Sequence, residues 1–324
     1  MIKIGLIGCG FMGAMHANCY KAIEGVQVVA VADIRREKAE ALACLSGAKI
    51  YSTGMELIEK EPLDAVDICL PTYLHASHAA VAMKRVKDVF VEKPVTLTLR
   101  EGEELLKVQQ QTGAGVQVGQ VIRFWDEYVW LKELIDTHKF GRVKNVMLRR
   151  LSPRPDWAWE SWVLDEARSG GALQDLHVHD IDFMLYAFGN PKSFSAVKAH
   201  GGDKNSYVMT VADYGDFAVS VEGTWDLPAA FPFEMYYRVK FERAVAEFSA
   251  AGLKLYTADG VENVKLEKKC VAVASGGGNI SDLGGYYNEL AYFTDCLKSG
   301  RHPEKASLHD AVRSVKFVRE EIEK

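Results

Sequence analysis

The sequence predicts a two-domain α/β protein: an N-terminal doubly wound parallel sheet, then an α+β domain built on a mostly antiparallel sheet. Three observations predict it. Short β-branched runs alternate with helical segments from residue 1 to about 120, a glycine-rich turn joins the first run to the first helix, and strand-like runs dominate after residue 140. Alternating strands and helices form βαβ units, whose parallel sheet is covered on both faces. Successive strands with few helices between them pair antiparallel. The domains are expected at 1–121 and 122–324, with the last helix able to pack back on the first domain.

Strands of the first half are expected at Ile2–Ile7, Val26–Ala32, Lys49–Tyr51, Ala65–Leu70, Val89–Val91 and Val116–Val121. Gly25 reads as the C-cap of the first helix, and Thr98-Leu99-Arg100-Glu101 as a capping box opening a helix that stops at Gly113. A helix near 125–138 and a strand at Val143–Leu151 open the second half. Another helix runs from Ala172 to Phe188, between Gly170-Gly171 and Gly189-Asn190-Pro191. Strand-like runs follow: FSAVKAH, SYVMTVADY, FAVSVEGTW, MYYRVKFE, AVAEFSA and LKLYTA. ASGGGNISDLGG (274–285) reads as a loop, and helices near 285–299 and 306–323 close the chain.

The 44 acidic and 39 basic residues leave a net charge of −5. Without a basic field, nucleic acid is not an expected partner, and a small molecule is. Cys9, Cys19, Cys44, Cys69, Cys270 and Cys296 lie in apolar segments without CxxC spacing, so reduced, buried thiols are expected rather than disulfides or zinc ligands. No apolar run approaches the roughly 18 residues that span a bilayer. The N-terminal run is too short for a signal peptide's central region, so a cytoplasmic location with no membrane partner is expected.

KIGLIGCGFMGAMH sets Gly8, Gly10 and Gly13 at a strand-to-helix turn with Phe11 and Met12 between them. Gly8 permits the turn, Gly10 lets backbone approach a pyrophosphate, and Gly13 lets the helix pack against the strand. The free N–H groups of the helix start then face the phosphates. The alternative is a glycine-rich turn without a ligand. Asp33, 20 residues beyond Gly13 and followed by Ile34, ends the second strand, where its carboxylate accepts from ribose hydroxyls and repels a 2′-phosphate. NAD is therefore expected, with NADP kept as the lesser option because Arg35 and Arg36 follow; the plainer reading of that pair is a solvated first helical turn.

Glu92-Lys93-Pro94 ends the fifth strand, and Pro94 biases Lys93 toward an extended backbone. A lysine at the carboxyl ends of parallel strands projects toward the crevice where such sheets bind ligands; otherwise it is a surface lysine. In SGGALQDLHVHDID, a regular helix separates Asp175 and His179 by about 40° and turns His177 to the opposite side. The two histidines then cannot converge on one ion unless the helix breaks, so no metal is expected. Asp175 with His179 makes an acid/base unit, or else an ordinary i, i+4 polar pair.

Taken together, the glycine-rich turn, Pro71-Thr72-Tyr73-Leu74-His75, Glu92-Lys93-Pro94, Arg123-Phe124 and Gly170-Gly171 with Asp175-x-x-x-His179 resemble the Gfo/Idh/MocA family of nicotinamide-dependent oxidoreductases over essentially the whole chain. The resemblance implies an N-terminal Rossmann domain and a C-terminal domain with an open, mostly antiparallel sheet that often serves oligomerisation, as a homodimer or homotetramer. It also implies that Lys93, Asp175 and His179 are catalytic, and that Pro71, Thr72 and His75 border the cofactor. Trp162 fits the family pattern near the nicotinamide, or is a core tryptophan, and Arg123 and Tyr286 are candidate substrate contacts. Ile122, Gln174 and His177 depart from the usual pattern, as does the lead-in to Glu92.

The expected reaction is reversible oxidation of a secondary hydroxyl on a sugar, inositol or related polyol. His179 takes the hydroxyl proton, Lys93 stabilises the alkoxide, and Asp175 orients the pair. Two alternatives stand beside it. One is a redox-neutral, NAD-assisted glycosidase or lyase; the other is a non-catalytic NAD-binding regulator.

Overall fold

The computed structural model describes residues 1–198, 206–267 and 284–323. Cys270, the end of FSAVKAH and most of ASGGGNISDLGG lie outside these. The chain forms two compact units: Met1–Phe124 with the described residues of Lys269–Val312, and Trp125–Lys268, as far as described, with Arg313–Lys324.

The first unit runs β1 (Ile2–Ile7), α1 (Phe11–Ala22), β2 (Val26–Ala32), α2 (Arg36–Ser46), β3 (Lys49–Tyr51), α3 (Gly54–Lys60), β4 (Ala65–Ile68), α4 (His75–Ala82), β5 (Asp88–Val91), α5 (Leu99–Thr112) and β6 (Gly115–Val118). Its sheet has the order β3-β2-β1-β4-β5-β6. Every pairing is parallel, as the alternation of strands and helices requires. β4, β5 and the edge strand β6 are buried along their whole length, as in a sheet covered on both faces. Both halves of the Thr98 capping box form, and Gly113 ends α5 in the left-handed region at φ 71°. Gly25 does not cap α1. That helix ends on an extended Ile23, and Gly25, at φ 75°, turns the chain into β2 while its carbonyl accepts from the Ile2 amide. The core gathers Ile4, Leu6, Tyr20, Val31 and Phe90 with Leu290 and Phe293 of a later helix, numbered α9 below (Gly284–Lys298).

The second unit contains α6 (Asp126–Asp136), β7 (Val143–Pro153), α7 (Glu166–Ser169), a π-helical turn at Leu173–His177 and α8 (Val178–Phe188). Then come β8 (Ser193–Lys198), β9 (Tyr207–Asp213), β10 (Ala218–Leu227), β11 (Glu234–Phe241), β12 (Val245–Ser249), β13 (Gly252–Thr257) and β14 (Gly260–Asn263). They form one sheet in the order β14-β13-β12-β11-β7-β10-β9-β8. The sheet is mostly antiparallel, but two of its inner strands, β7 and β10, pair in parallel. Ile181, Phe183, Met184 and Leu185 bury one side of α8, and Phe183 meets Tyr128 edge to face at 4.8 Å. The last helix, α10 (Leu308–Glu323), gives its residues through Val312 to the first unit and the rest to the second. No described helix is long and apolar enough to cross a membrane.

Candidate active site and cofactor cradle

Three glycines at the β1–α1 turn answer to three different constraints. Gly8 sits at φ 93°, and a Cβ there would lie 2.5 Å from the Cys69 carbonyl oxygen. At Gly13 a Cβ would lie 1.9 Å from the Gly8 carbonyl oxygen and 3.1 Å from Leu6. Gly10, the residue before α1, is open: its nearest neighbour would be Arg35 Nη2 at 3.7 Å. Thus Gly8 and Gly13 hold the turn shut while Gly10 leaves its backbone approachable. Phe11 and Met12, both half-buried, begin the helix, and the first intrahelical bond goes from Ala14 N–H to Gly10. The N–H groups before it are those that a helix start offers to an anion.

Asp33 lies beside this turn. Its Oδ2 accepts from the Cys9 amide at 2.8 Å, tying the end of β2 to the turn, and its Oδ1 accepts from the Arg35 amide at 2.8 Å. The Arg35 guanidinium spans the same carboxylate, with Nε and Nη2 each 3.3 Å from an oxygen. Arg35 is therefore not the solvated residue that the plainer reading expects. Arg36 is: it is exposed and pairs with Glu40 one helical turn on. Ile34 is 70% exposed. Burial and the neighbouring Asp33 charge push the Cys9 thiol up to about 12, which keeps it protonated.

After β4 the chain makes a short 3-10 turn at Thr72–Leu74, entered through Pro71. His75 is buried, and its ring nitrogens lie 2.8 and 2.7 Å from the carbonyl oxygens of Pro94 and Leu70. It ties this loop to the one after β5. Thr72 is 1% exposed, and its hydroxyl has no hydrogen-bond partner among the described residues. An orphaned buried hydroxyl, an open Gly10 and a helix start beside an acid make the residues present a fit for a dinucleotide. Glu92 is buried at the end of β5, and Lys93, next to it, is half-buried. One Glu92 oxygen accepts from the Lys93 amide at 3.0 Å.

The fold also assembles a group that cysteine and histidine spacing could not reveal. His16 of α1, Asp67 of β4 and Cys69 present ligand-type atoms that all lie within 4.8 Å of one another. Hydrogens account for the contacts: Asp67 takes His16 Nδ1 at 2.8 Å, the Tyr20 hydroxyl at 2.9 Å and the Cys69 thiol at 3.4 Å. Of the other thiols, Cys9, Cys19 and Cys296 are buried as expected, but Cys44 is exposed.

In the second unit, Gly170 and Gly171 both adopt positive φ, and a Cβ on Gly170 would lie 2.3 Å from the Gln174 side chain. Gln174, which departs from the family pattern, is thus buried over a residue that has no side chain. The segment after the glycines is not a regular helix. Leu173–His177 forms a π turn, so the 40° separation expected for Asp175 and His179 does not apply. Burial sorts the polar residues instead. His177 lies inside, 3.4 Å from Glu321, with its ring over Gly223. Asp180 pairs with Arg150 at 2.8 Å, and Asp182 accepts from Ser314 at 2.9 Å. Asp175 and His179 alone among the segment's histidines and aspartates are half-buried rather than buried.

Of the remaining candidates, Arg123 is 1% exposed and donates to Asp310 at 2.9 Å. Trp162 is half-buried against Ala158, Val163, Ala172 and Trp225. Tyr286 packs on the first unit's core, its ring centroid 6.4 Å from that of His16.

Comparison with known proteins adds a lineage to this geometry. Residues 2–120 match the family described as the Gfo/Idh/MocA oxidoreductase family with an NAD-binding Rossmann fold, and residues 128–246 match that family's C-terminal domain. The inositol 2-dehydrogenase of Rhizobium meliloti is 31% identical over 226 residues, covering 68% of this chain and 64% of that protein. The scyllo-inositol 2-dehydrogenase (NAD+) of Bacillus subtilis is 30% identical over 220 residues, covering 66% of this chain and 61% of that one. The chain matches 54 to 64% of the length of these and the neighbouring curated relatives. An oxidoreductase from Agrobacterium radiobacter, solved with NAD+, L-tartaric acid and magnesium, superposes with a TM-score of 0.86 at 16% identity, over 99% of this chain and 95% of that one. That likeness is one of fold. With both domains matched in order, the chain belongs to the Gfo/Idh/MocA family, and its first domain is an NAD-binding Rossmann domain.

Proposed function

We propose that the protein is an NAD-dependent dehydrogenase that reversibly oxidises a secondary hydroxyl of an inositol, sugar or related polyol. The observation that carries this reading is the sorting of the SGGALQDLHVHDID segment, where Asp175 and His179 alone among the histidines and aspartates escape full burial. Family membership and the inositol dehydrogenases among the relatives support the substrate class. Gly8, Gly10, Phe11, Met12 and Gly13 would hold the pyrophosphate at the start of α1, with Asp33 and Ile34 beside the adenosine ribose and Pro71, Thr72 and Glu92 along the loops after β4 and β5.

When bound, the cofactor supplies the acceptor for the hydride leaving the alcohol carbon. His179 takes the hydroxyl proton, so the two electrons and the proton are separately accounted for. Asp175 orients the imidazole, and the Lys93 ammonium stabilises the oxygen as its negative charge grows.

The test is a panel of inositols, polyols and sugars with NAD and NADP supplied separately. One NADH should form per hydroxyl oxidised, with NAD preferred. Lys93→Ala and His179→Ala should each lower kcat by at least about a hundredfold with little change in NAD affinity. Near-normal turnover in either variant would remove that residue from the mechanism, and product without NADH would point to redox-neutral chemistry.

A further inference from the structure

Within the first unit, a buried ionic chain lies behind Lys93; its Glu92 belongs to the proposed cofactor loops, and its histidine has no role in the reaction described above. His16 of α1 is wholly buried. Its Nδ1 is 2.8 Å from Asp67 Oδ2 and its Nε2 is 3.1 Å from Glu92 Oε1. Against the cost of burial, Asp67 and Cys69 hold the ring's pKa well above its ordinary value, so it faces the two carboxylates as a cation. The Asp67 end is the firm one, because that carboxylate also takes the Tyr20 hydroxyl and the Cys69 thiol. An edge-on contact with Phe90, 5.3 Å between centroids, supports the ring.

At the other end the contact with Glu92 is close but not aligned as a hydrogen bond, so its attraction is chiefly that of opposite charges at low dielectric. Glu92 has little room to move. A Cβ on Gly119 would lie 2.9 Å from Glu92 Oε1, so the backbone just after β6 walls the carboxylate on that side. The second Glu92 oxygen accepts the Lys93 amide at 3.0 Å. Glu289 reaches the same region from α9. Burial and the Glu92 charge hold its carboxyl well above the usual range, so it remains neutral and does not compete for His16.

We propose that His16 is a positioning residue for Lys93: anchored on Asp67, it fixes the Glu92 carboxylate, which in turn holds the Lys93 backbone. The inference rests on Lys93 acting in the proposed reaction, and it assigns a role to a histidine that is wholly buried.

The test uses two substitutions that divide the functions of the ring. His16→Asn keeps an amide near the Nδ1 position and loses the contact with Glu92; His16→Gln keeps an amide near Nε2. At a temperature where both are folded, His16→Asn should lower kcat roughly ten- to hundredfold with KM for NAD little changed, because a small displacement of a catalytic group is costly. His16→Gln should lose less. Combined with Lys93→Ala, His16→Asn should change the residual turnover by less than about twofold, since the group it positions is gone. A full loss persisting in the Lys93→Ala background, or equal losses from Asn and Gln, would overturn the role. If His16→Asn does not fold, Glu92→Gln makes the same comparison, keeping the acceptor for the Lys93 amide and removing the charge that His16 holds. Lys93→Ala with unimpaired turnover would sink the reaction reading itself, whereas an inactive Lys93→Ala beside a fully active His16→Asn sinks the positioning role alone. Stoichiometric metal that departs with His16→Asn would make the cluster a metal site and also overturn it.

Discussion

At Gly13 a single methyl group would sit 1.9 Å from the Gly8 carbonyl oxygen, whereas at Gly10 it would find its nearest neighbour at 3.7 Å. These neighbours in one motif should therefore fail differently. Gly13→Ala should cost about 3 kcal/mol of stability by overpacking, read as a lowered denaturation midpoint. Gly10→Ala should leave the midpoint nearly unchanged and weaken NAD binding, read by titration calorimetry. Glu289 provides a pH-dependent counterpart. Its folded-state pKa lies above the ordinary value of 4.5, so its stabilising share is complete below that pH and is lost as pH rises toward the folded value. Glu289→Gln should accordingly gain in melting temperature relative to the parent as pH is raised from about 5 to 8. His16 has the same sign: its pKa is raised by Asp67 and Cys69 against the cost of burial, so its contribution is complete below about 6.5 and declines as pH rises through the raised value.

Among the elements, those with a local cause could be read from the sequence. The strands of the first unit follow their β-branched runs, and α5 is bounded by the Thr98 box and Gly113. Thr98→Ala should cost about 1 kcal/mol, measurable by chemical denaturation. β14 was not legible, because Gly260–Asn263 is exposed throughout and carries no alternation of apolar and polar residues. Nor was the π turn, whose inward Gln174 and His177 depend on Gly170 and on Gly223 from a distant strand. The roles of His177, Asp180 and Asp182 were hidden for the same reason, since their partners Glu321, Arg150 and Ser314 lie 144, 30 and 132 residues away. Lys93, Asp175 and His179 stood in recognisable motifs. His16 did not announce its surroundings, because Asp67 and Glu92 reach it only once the parallel sheet has formed.

At the scale of the whole molecule, neither compact unit is one continuous stretch of sequence. Leu290 and Phe293 of α9 are wholly buried in the core of the first unit, and Phe293 meets Phe90 at 5.6 Å. A fragment ending at Phe124 would expose that core. It should show no cooperative thermal transition by circular dichroism, whereas the full chain should show one. The parallel pairing of β7 with β10 has a further consequence for biosynthesis. Asp175 and His179 leave the ribosome after β7 but before β10, its parallel neighbour. At about 5 to 20 residues per second, the nascent chain carries α8 without a complete β10 for roughly 2 to 8 s between Phe188 and Leu227. Over that interval the apolar side of α8 is a natural client for chaperones.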